Sequence, residues 1–469
     1  MRQLRPLRAA LGNPKNPVSR RRFLQSSLVT GGLSLSLADL LRLQAASRAH
    51  GGDQKDTAVI QVWLGGGPSQ FETFDPKPEA PQEIRGPYGV IQTKFPGVLF
   101  CECMPLTAKV LDRAAIIRTV SHPNNNHSPA SACLATGYKK TTGQRYPSVG
   151  SVVSHLRGAN HDGLPPYVLL SQDLTRNQDI AACMGPGYLG AAHSPMTVLQ
   201  DPFKDEFQES KLRKAVADFE LASDLTLERV ASRQALLGKL DRFANAAQEM
   251  EGVDHFSRVA LDMISNGDAR RAFDLSEESE ATRRMYGSHR WGQMALLARR
   301  LVEAGTTFVT LSTAPDSLCW DWHLNIVNDK RPADGSMGPS RGMDLSGPPL
   351  DQMVSALVTD IYDRGLDKKV LLLVWGEFGR TPRINKTGGR DHWGPLMSIL
   401  LAGGGLRVDQ VIGTSNPYGE MPSERPVHPN EVLATVYRHL GIDPRTHTTD
   451  LQGRPSPLLS FGEAVAELL

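Results

Sequence analysis

Lys369-Val-Leu-Leu-Leu-Val-Trp375 runs directly into Gly376-Glu-Phe-Gly-Arg-Thr-Pro382. The apolar run does not alternate, which is the pattern of a strand covered on both faces, as in a parallel sheet. Glycine and proline then break it. The first polar side chains to leave it, Glu377 and Arg380, stand at its carboxyl end, where open α/β sheets bind ligands. A structural ion pair would use the same two residues, but their place at a strand end favours function. Similar runs occur at Thr57–Leu64, Ala114–Val120, Tyr167–Leu170, Thr306–Leu311 and Met397–Leu401, with helical stretches between them. That alternation predicts an α/β fold: a mostly parallel, doubly wound sheet with helices on both faces.

The chain has 469 residues, enough for one large α/β domain with insertions or for two domains. Hydrophobic residues make up 40% and charged residues 22%, an ordinary globular balance. A formal net charge of +2 gives no strong attraction to nucleic acid or to an anionic membrane. The cysteines, Cys101, Cys103, Cys133, Cys183 and Cys319, are odd in number and scattered, so they are not a disulfide framework. Cys101 and Cys103 lack a second pair or a nearby histidine and read as incidental.

Residues 1–49 read as a twin-arginine signal segment. Arg20 and Arg21 form the pair, Phe23 and Leu24 follow, and Ser47-Arg48-Ala49 offers a small-x-small cleavage site. Ser26 to Leu43 is too weakly apolar for a stable membrane span. The export machinery is thus an expected partner, and the expected location is periplasmic or extracellular. Residues 50–469 form the folded domain. Within it, Phe203–Ala314 contains no proline. Leu236, Leu240 and Phe243 share one helical face, as do Met294, Leu297 and Leu301. This predicts a helical insertion over about 203–305, packed as a cap on the sheet.

Polar clusters recur just after the apolar runs. Gly65-Gly66-Gly67 follows the first run and reads equally as an anion-holding loop or a tight turn; Glu72 and Asp75 come next. His122-Pro-Asn-Asn-Asn-His-Ser-Pro129 follows the second and opens a helix, whose N-terminus favours anions. Ser128 can act there or merely cap the helix, with Pro129 in its first turn. Asp321-Trp-His323 and Gly389-Arg-Asp-His-Trp393 each set a carboxylate beside an imidazole, ligand types that metals take, although a lone Asp-x-His is common by chance. Together they describe an anion site with Asp, Glu and His ligands for one or two cations.

His127-Ser-Pro-Ala-Ser-Ala-Cys-Leu-Ala-Thr-Gly137 resembles the sulfatase signature Cys-x-Pro-Ser-Arg followed by Leu-x-Thr-Gly. With Trp320-Asp-Trp-His323, Gly376–Pro382 and Gly389–Trp393, the chain resembles an uncharacterised exported bacterial family, domain of unknown function number 1501, of the alkaline phosphatase/sulfatase superfamily. The resemblance implies an alkaline phosphatase-like sheet and a divalent metal centre (zinc, manganese, calcium or magnesium, one or two ions) for phosphate or sulfate esters. It implies Asp321, His323 and His392 as ligands, joined by Glu377 and Asp391. It places His127 where the nucleophile stands, with Ser128 and Arg380 as further catalytic candidates.

There are departures from that pattern. Glycines 65–67 replace the usual aspartates after the first strand. Glu377-Phe378 replaces an Asp-His or Asp-Asn pair, which removes a ligand. His127 excludes an ordinary formylglycine sulfatase; an imidazole can serve as nucleophile, general base or metal ligand. The leading expectation is a metal-dependent hydrolase of small-molecule or glycan esters. The alternatives are an inactive protein binding an anionic glycan or lipid head group on the same fold, and an assembly protein using the insertion helices as an interface.

Overall fold

A computed structural model of the chain describes residues 56–171, 183–199, 267–313, 320–328 and 342–469. The signal segment, residues 203–266 of the expected insertion (with Leu236, Leu240 and Phe243) and Cys319 lie outside the described residues.

An eight-stranded sheet forms the centre. Its strands are β1 (Ala58–Trp63), β2 (Ala114–Val120), β3 (Tyr167–Ser171), β4 (Met196–Leu199), β5 (Phe308–Ser312), β6 (Val370–Trp375), β7 (Met397–Gly403) and β8 (Gln410–Ile412). Their order across the sheet is β8-β2-β7-β6-β1-β5-β3-β4. All neighbours are parallel except that β7 runs antiparallel to both β2 and β6. All six apolar runs are strands of this sheet. The two strands not anticipated, β4 and β8, are short and lie at its edges.

Side chains alternate between two apolar layers, as the pleat requires. Ile60, Val62, Ile116, Leu311, Leu372 and Val374 enter one core, and Val59, Trp63, Ile117, Phe308, Leu373 and Trp375 enter the other. The second core is closed by α1 (His127–Thr136), α2 (Val149–Leu156) and α7 (Pro429–His439). The first is closed by α3 (Gly267–Phe273), α4 (Glu280–Tyr286), α5 (Arg290–Ala304) and α6 (Met343–Asp363). Met294, Leu297 and Leu301 lie on the buried face of α5, so the described end of the proline-free stretch packs directly on the sheet. Gly305 caps α5, its N–H donating to the carbonyls of Leu301 and Val302. Among the described residues, no helix is long and apolar enough to cross a membrane.

Register places the site. Trp63 of β1 is level with Trp375 of β6 and Ser312 of β5, so the three strands end side by side. Strand β7 arrives from the opposite direction, so the residues preceding it, His392 and Trp393, reach the same edge. They pair as a short antiparallel ribbon with Gly379 and Arg380.

Candidate metal centre

The glycines after β1 make the close approach that positions Asp321. Gly66 has φ +108°, and a Cβ there would lie 2.6 Å from the Asp321 amide nitrogen. Only glycine admits the backbone of residues 320 and 321 so near. The loop's polar groups serve the protein itself. The Gly66 N–H donates to Glu377 Oε1 at 2.8 Å, and the carbonyls of Gly66 and Gly67 accept from Arg380. Of its two readings, the loop takes the tight turn.

Three imidazoles converge on the buried Asp321. His323 Nε2 and His392 Nε2 each lie 2.9 Å from Asp321 Oδ1, and 2.9 Å from one another. His127 Nε2 faces the other oxygen, Oδ2, at 3.6 Å. The opposite ring nitrogens are anchored outward: His323 Nδ1 on Asp391 at 2.8 Å, His392 Nδ1 on the Asn125 carbonyl at 2.9 Å, His127 Nδ1 on Glu377 Oε1 at 2.7 Å. An oxygen acceptor holds a proton at each Nδ1, so each Nε2 faces the Asp321 carboxylate through a proton while the ring is charged and with an inward lone pair once that proton is lost. The donors of His127, Asp321 and His392 all lie within 4.8 Å of one another. The buried ring of Phe378 packs against His392 and His127, with centroids at 4.4 Å and 5.1 Å, and walls off one side.

The charges interlock. Burial alone would raise the Asp321 carboxyl, but His127, His323, His392 and Arg380 hold it far below the usual carboxylate range. Burial weakens the proton affinity of His127, while the Asp321 and Glu377 carboxylates raise it more, to about 9. The bond to Asp321 raises His323. Burial lowers His392 below its ordinary value. Glu377 is fully buried, and among the described residues its Oε2 has no hydrogen-bond partner. A buried carboxylate oxygen of this kind, on the residue that anchors His127, is a group that a divalent cation can satisfy.

The other expected residues fall around this cluster. Arg380 is completely buried beneath it, donating to Asp321 Oδ1 at 2.7 Å and to the carbonyls of Trp320, Gly66, Gly67 and Arg390. Ser128 lies in the first turn of α1 and accepts a hydrogen bond from Lys140. It is not the cap: that position belongs to Asn126, which makes no side-chain capping bond. Thr136-Gly137, the end of the signature, is the C-terminus of α1, with Gly137 in the left-handed region at φ +78°. Glu72 and Asp75 are buried in ion pairs with Arg390 and with Lys77 and Arg118. Cys101 and Cys103 are free thiols. Sequence reasoning missed Asn125, whose carbonyl carries no side-chain signal, and the link between Glu377 and His127. It also left His122 without a role: His122 Nε2 donates to the Glu377 carbonyl at 2.7 Å, and burial pushes its pKa down to about 4.

No curated protein matches the sequence. Among solved structures, the chain is similar to the PsFucS1 sulfatase from Pseudoalteromonas sp. (10% identity, 86% of this chain and 71% of that chain, TM-score 0.35). It is similar to the lipoteichoic acid synthase LtaP from Listeria monocytogenes (9%, 87% and 88%, TM-score 0.34). It is also similar to alkaline phosphatase from the Antarctic bacterium TAB5 (10%, 82% and 98%, TM-score 0.34). The family described as "Protein of unknown function (DUF1501)" matches residues 56–469, and the chain belongs to that family.

Proposed function

We propose that this protein is a metal-dependent hydrolase of phosphate or sulfate esters that works outside the cytoplasm. The observation that carries the reading is the pair His323 and His392: both aim Nε2 at one oxygen of Asp321 while an outer acceptor fixes each Nδ1. In this reading Asp321, His323 and His392 hold the cation, and Glu377 Oε2 adds a further oxygen donor to it or to a second cation. Asp391 positions His323 from outside. Two imidazole nitrogens beside a carboxylate suit zinc best and manganese next, whereas calcium and magnesium, which prefer oxygen donors, fit only a second site built on carboxylates.

A bound divalent cation supplies Lewis acidity toward a phosphoryl or sulfuryl oxygen and toward water. The chain supplies the rest. The N-terminus of α1 stands beside the cluster, where its N–H groups and dipole favour an anionic ester. Phe378 excludes water from one side and lowers the local dielectric, which strengthens every charge interaction inside. Arg380 locks Asp321 and the 65–67 loop in place as a positioning residue. Arg20, Arg21 and the segment after them support export, with the twin-arginine machinery as partner.

The test is a screen of aryl phosphate, phosphodiester and aryl sulfate esters with protein loaded with each of the four metals. Turnover that chelator abolishes and metal restores is expected. Fully loaded protein that hydrolyses none of them overturns the reading.

A further inference from the structure

The sequence leaves His127 three roles: nucleophile, general base or ligand. Its surroundings favour one. Glu377 Oε1 accepts from His127 Nδ1 at 2.7 Å and from the Gly66 N–H at 2.8 Å, so this acceptor is itself fixed. Nδ1 is therefore the nitrogen that keeps its proton, and Nε2 is the one whose lone pair is freed when the ring gives up its second proton. That lone pair points inward, toward Asp321 Oδ2, with the His392 ring edge-on at a centroid distance of 4.3 Å and Phe378 on the flank. A nucleophilic nitrogen has to face the ester, not a carboxylate.

The Nε2–Oδ2 separation of 3.6 Å is the second observation. It is too long for a nitrogen–oxygen hydrogen bond. Once the ring loses its second proton these are two electron-rich atoms facing each other, an arrangement that is disfavoured unless a cation takes the proton's place between them. Two ligands of one cation have this relationship. The donor atoms of His127, Asp321 and His392 all lie within 4.8 Å of one another, so a single cation beside Asp321 can be reached by His127 as well as by His392.

We propose that His127 is a further ligand of the cation through Nε2, oriented by Glu377, and is not the group that receives a phosphoryl. This rests on the metal reading of the preceding subsection. The histidine at the start of α1 then ties the helix N-terminus to the cation, so one side chain sets the anion-binding end of α1 against the metal.

Cobalt(II) is the probe. Metal-free mature protein is titrated with Co²⁺ and followed by equilibrium dialysis and by the visible bands of the bound ion. Wild type, His127→Ala and Glu377→Gln are compared. His127→Ala is expected to bind at least about tenfold more weakly and with altered bands, since a nitrogen donor is lost, and added imidazole is expected to restore the wild-type spectrum. Glu377→Gln keeps an acceptor for Gly66 and His127, so it is expected to fold and to bind about 10- to 100-fold more weakly. Wild-type affinity and bands in both variants overturn the proposal while leaving the metal centre standing. A wild-type protein that takes up no Co²⁺ overturns both.

Discussion

Stripped of metal, the protein is expected to lose stability as the solution becomes alkaline, and His127 is the main reason. In the folded metal-free chain, the Asp321 and Glu377 carboxylates outweigh burial and raise its pKa from 6.5 to about 9. The raised value means that folding favours the protonated ring. That stabilisation is fully present below pH 6.5 and is lost as the pH rises through about 9. A tenfold change in proton affinity is worth about 1.4 kcal/mol, so the full effect is about 3 kcal/mol. His323, also raised, acts in the same direction. The assay is urea unfolding of chelator-treated protein at pH 6 and pH 10, with His127→Gln as reference. The wild-type advantage over the variant is expected to shrink by about 3 kcal/mol across that window. With saturating metal the sign reverses, because ligation requires the unprotonated nitrogen. A metal-free advantage that stays constant or grows with pH would refute the assignment of His127 between two carboxylates.

Three other outcomes are expected. Asp321→Asn removes the charge paired with the fully buried Arg380, so it should cost about 3 kcal/mol in unfolding assays and abolish metal content by elemental analysis. Gly66→Ala puts a methyl 2.6 Å from the Asp321 amide nitrogen at φ +108° and should cost about 3 kcal/mol or more in urea unfolding, whereas Gly97→Ala, with nothing within 4 Å, should cost only about 1 kcal/mol. Replacing Arg20 and Arg21 with lysine should block export, and N-terminal sequencing of the exported wild type should begin near His50; secretion of the double variant at wild-type levels would remove the export proposal.

The sheet was legible wherever burial on both faces left an unbroken apolar run. Val370–Trp375 announces itself because no position faces water, and Ala114–Val120 does so although Arg118 within it is only partly buried. Met196–Leu199 and Gln410–Ile412 do not, because edge strands are short and half-covered. The mostly parallel sense was legible from those runs, but the one exception was not: a buried apolar run reads the same when a single strand is reversed. Yet the reversal of β7 is what delivers His392 to the strand ends. At the site, Asp321, His323 and His392 could be picked out by residue type, and the structure brings them together. The orientations of the His392 and His127 rings could not, because the partners that fix them, Asn125 through its carbonyl and Glu377 through a link of 250 positions, leave no local pattern. The triple glycine was ambiguous for a similar reason. Its partner is the backbone of residues 320–321, far along the chain, and no sequence signal records that approach.

The most direct test of the metal centre is an anomalous-scattering map from crystals of the mature protein grown with Mn²⁺ or Zn²⁺. The account predicts one strong peak within bonding distance of Asp321 and of the Nε2 atoms of His323 and His392. Metal-soaked crystals with these side chains ordered and no anomalous peak among them would contradict it.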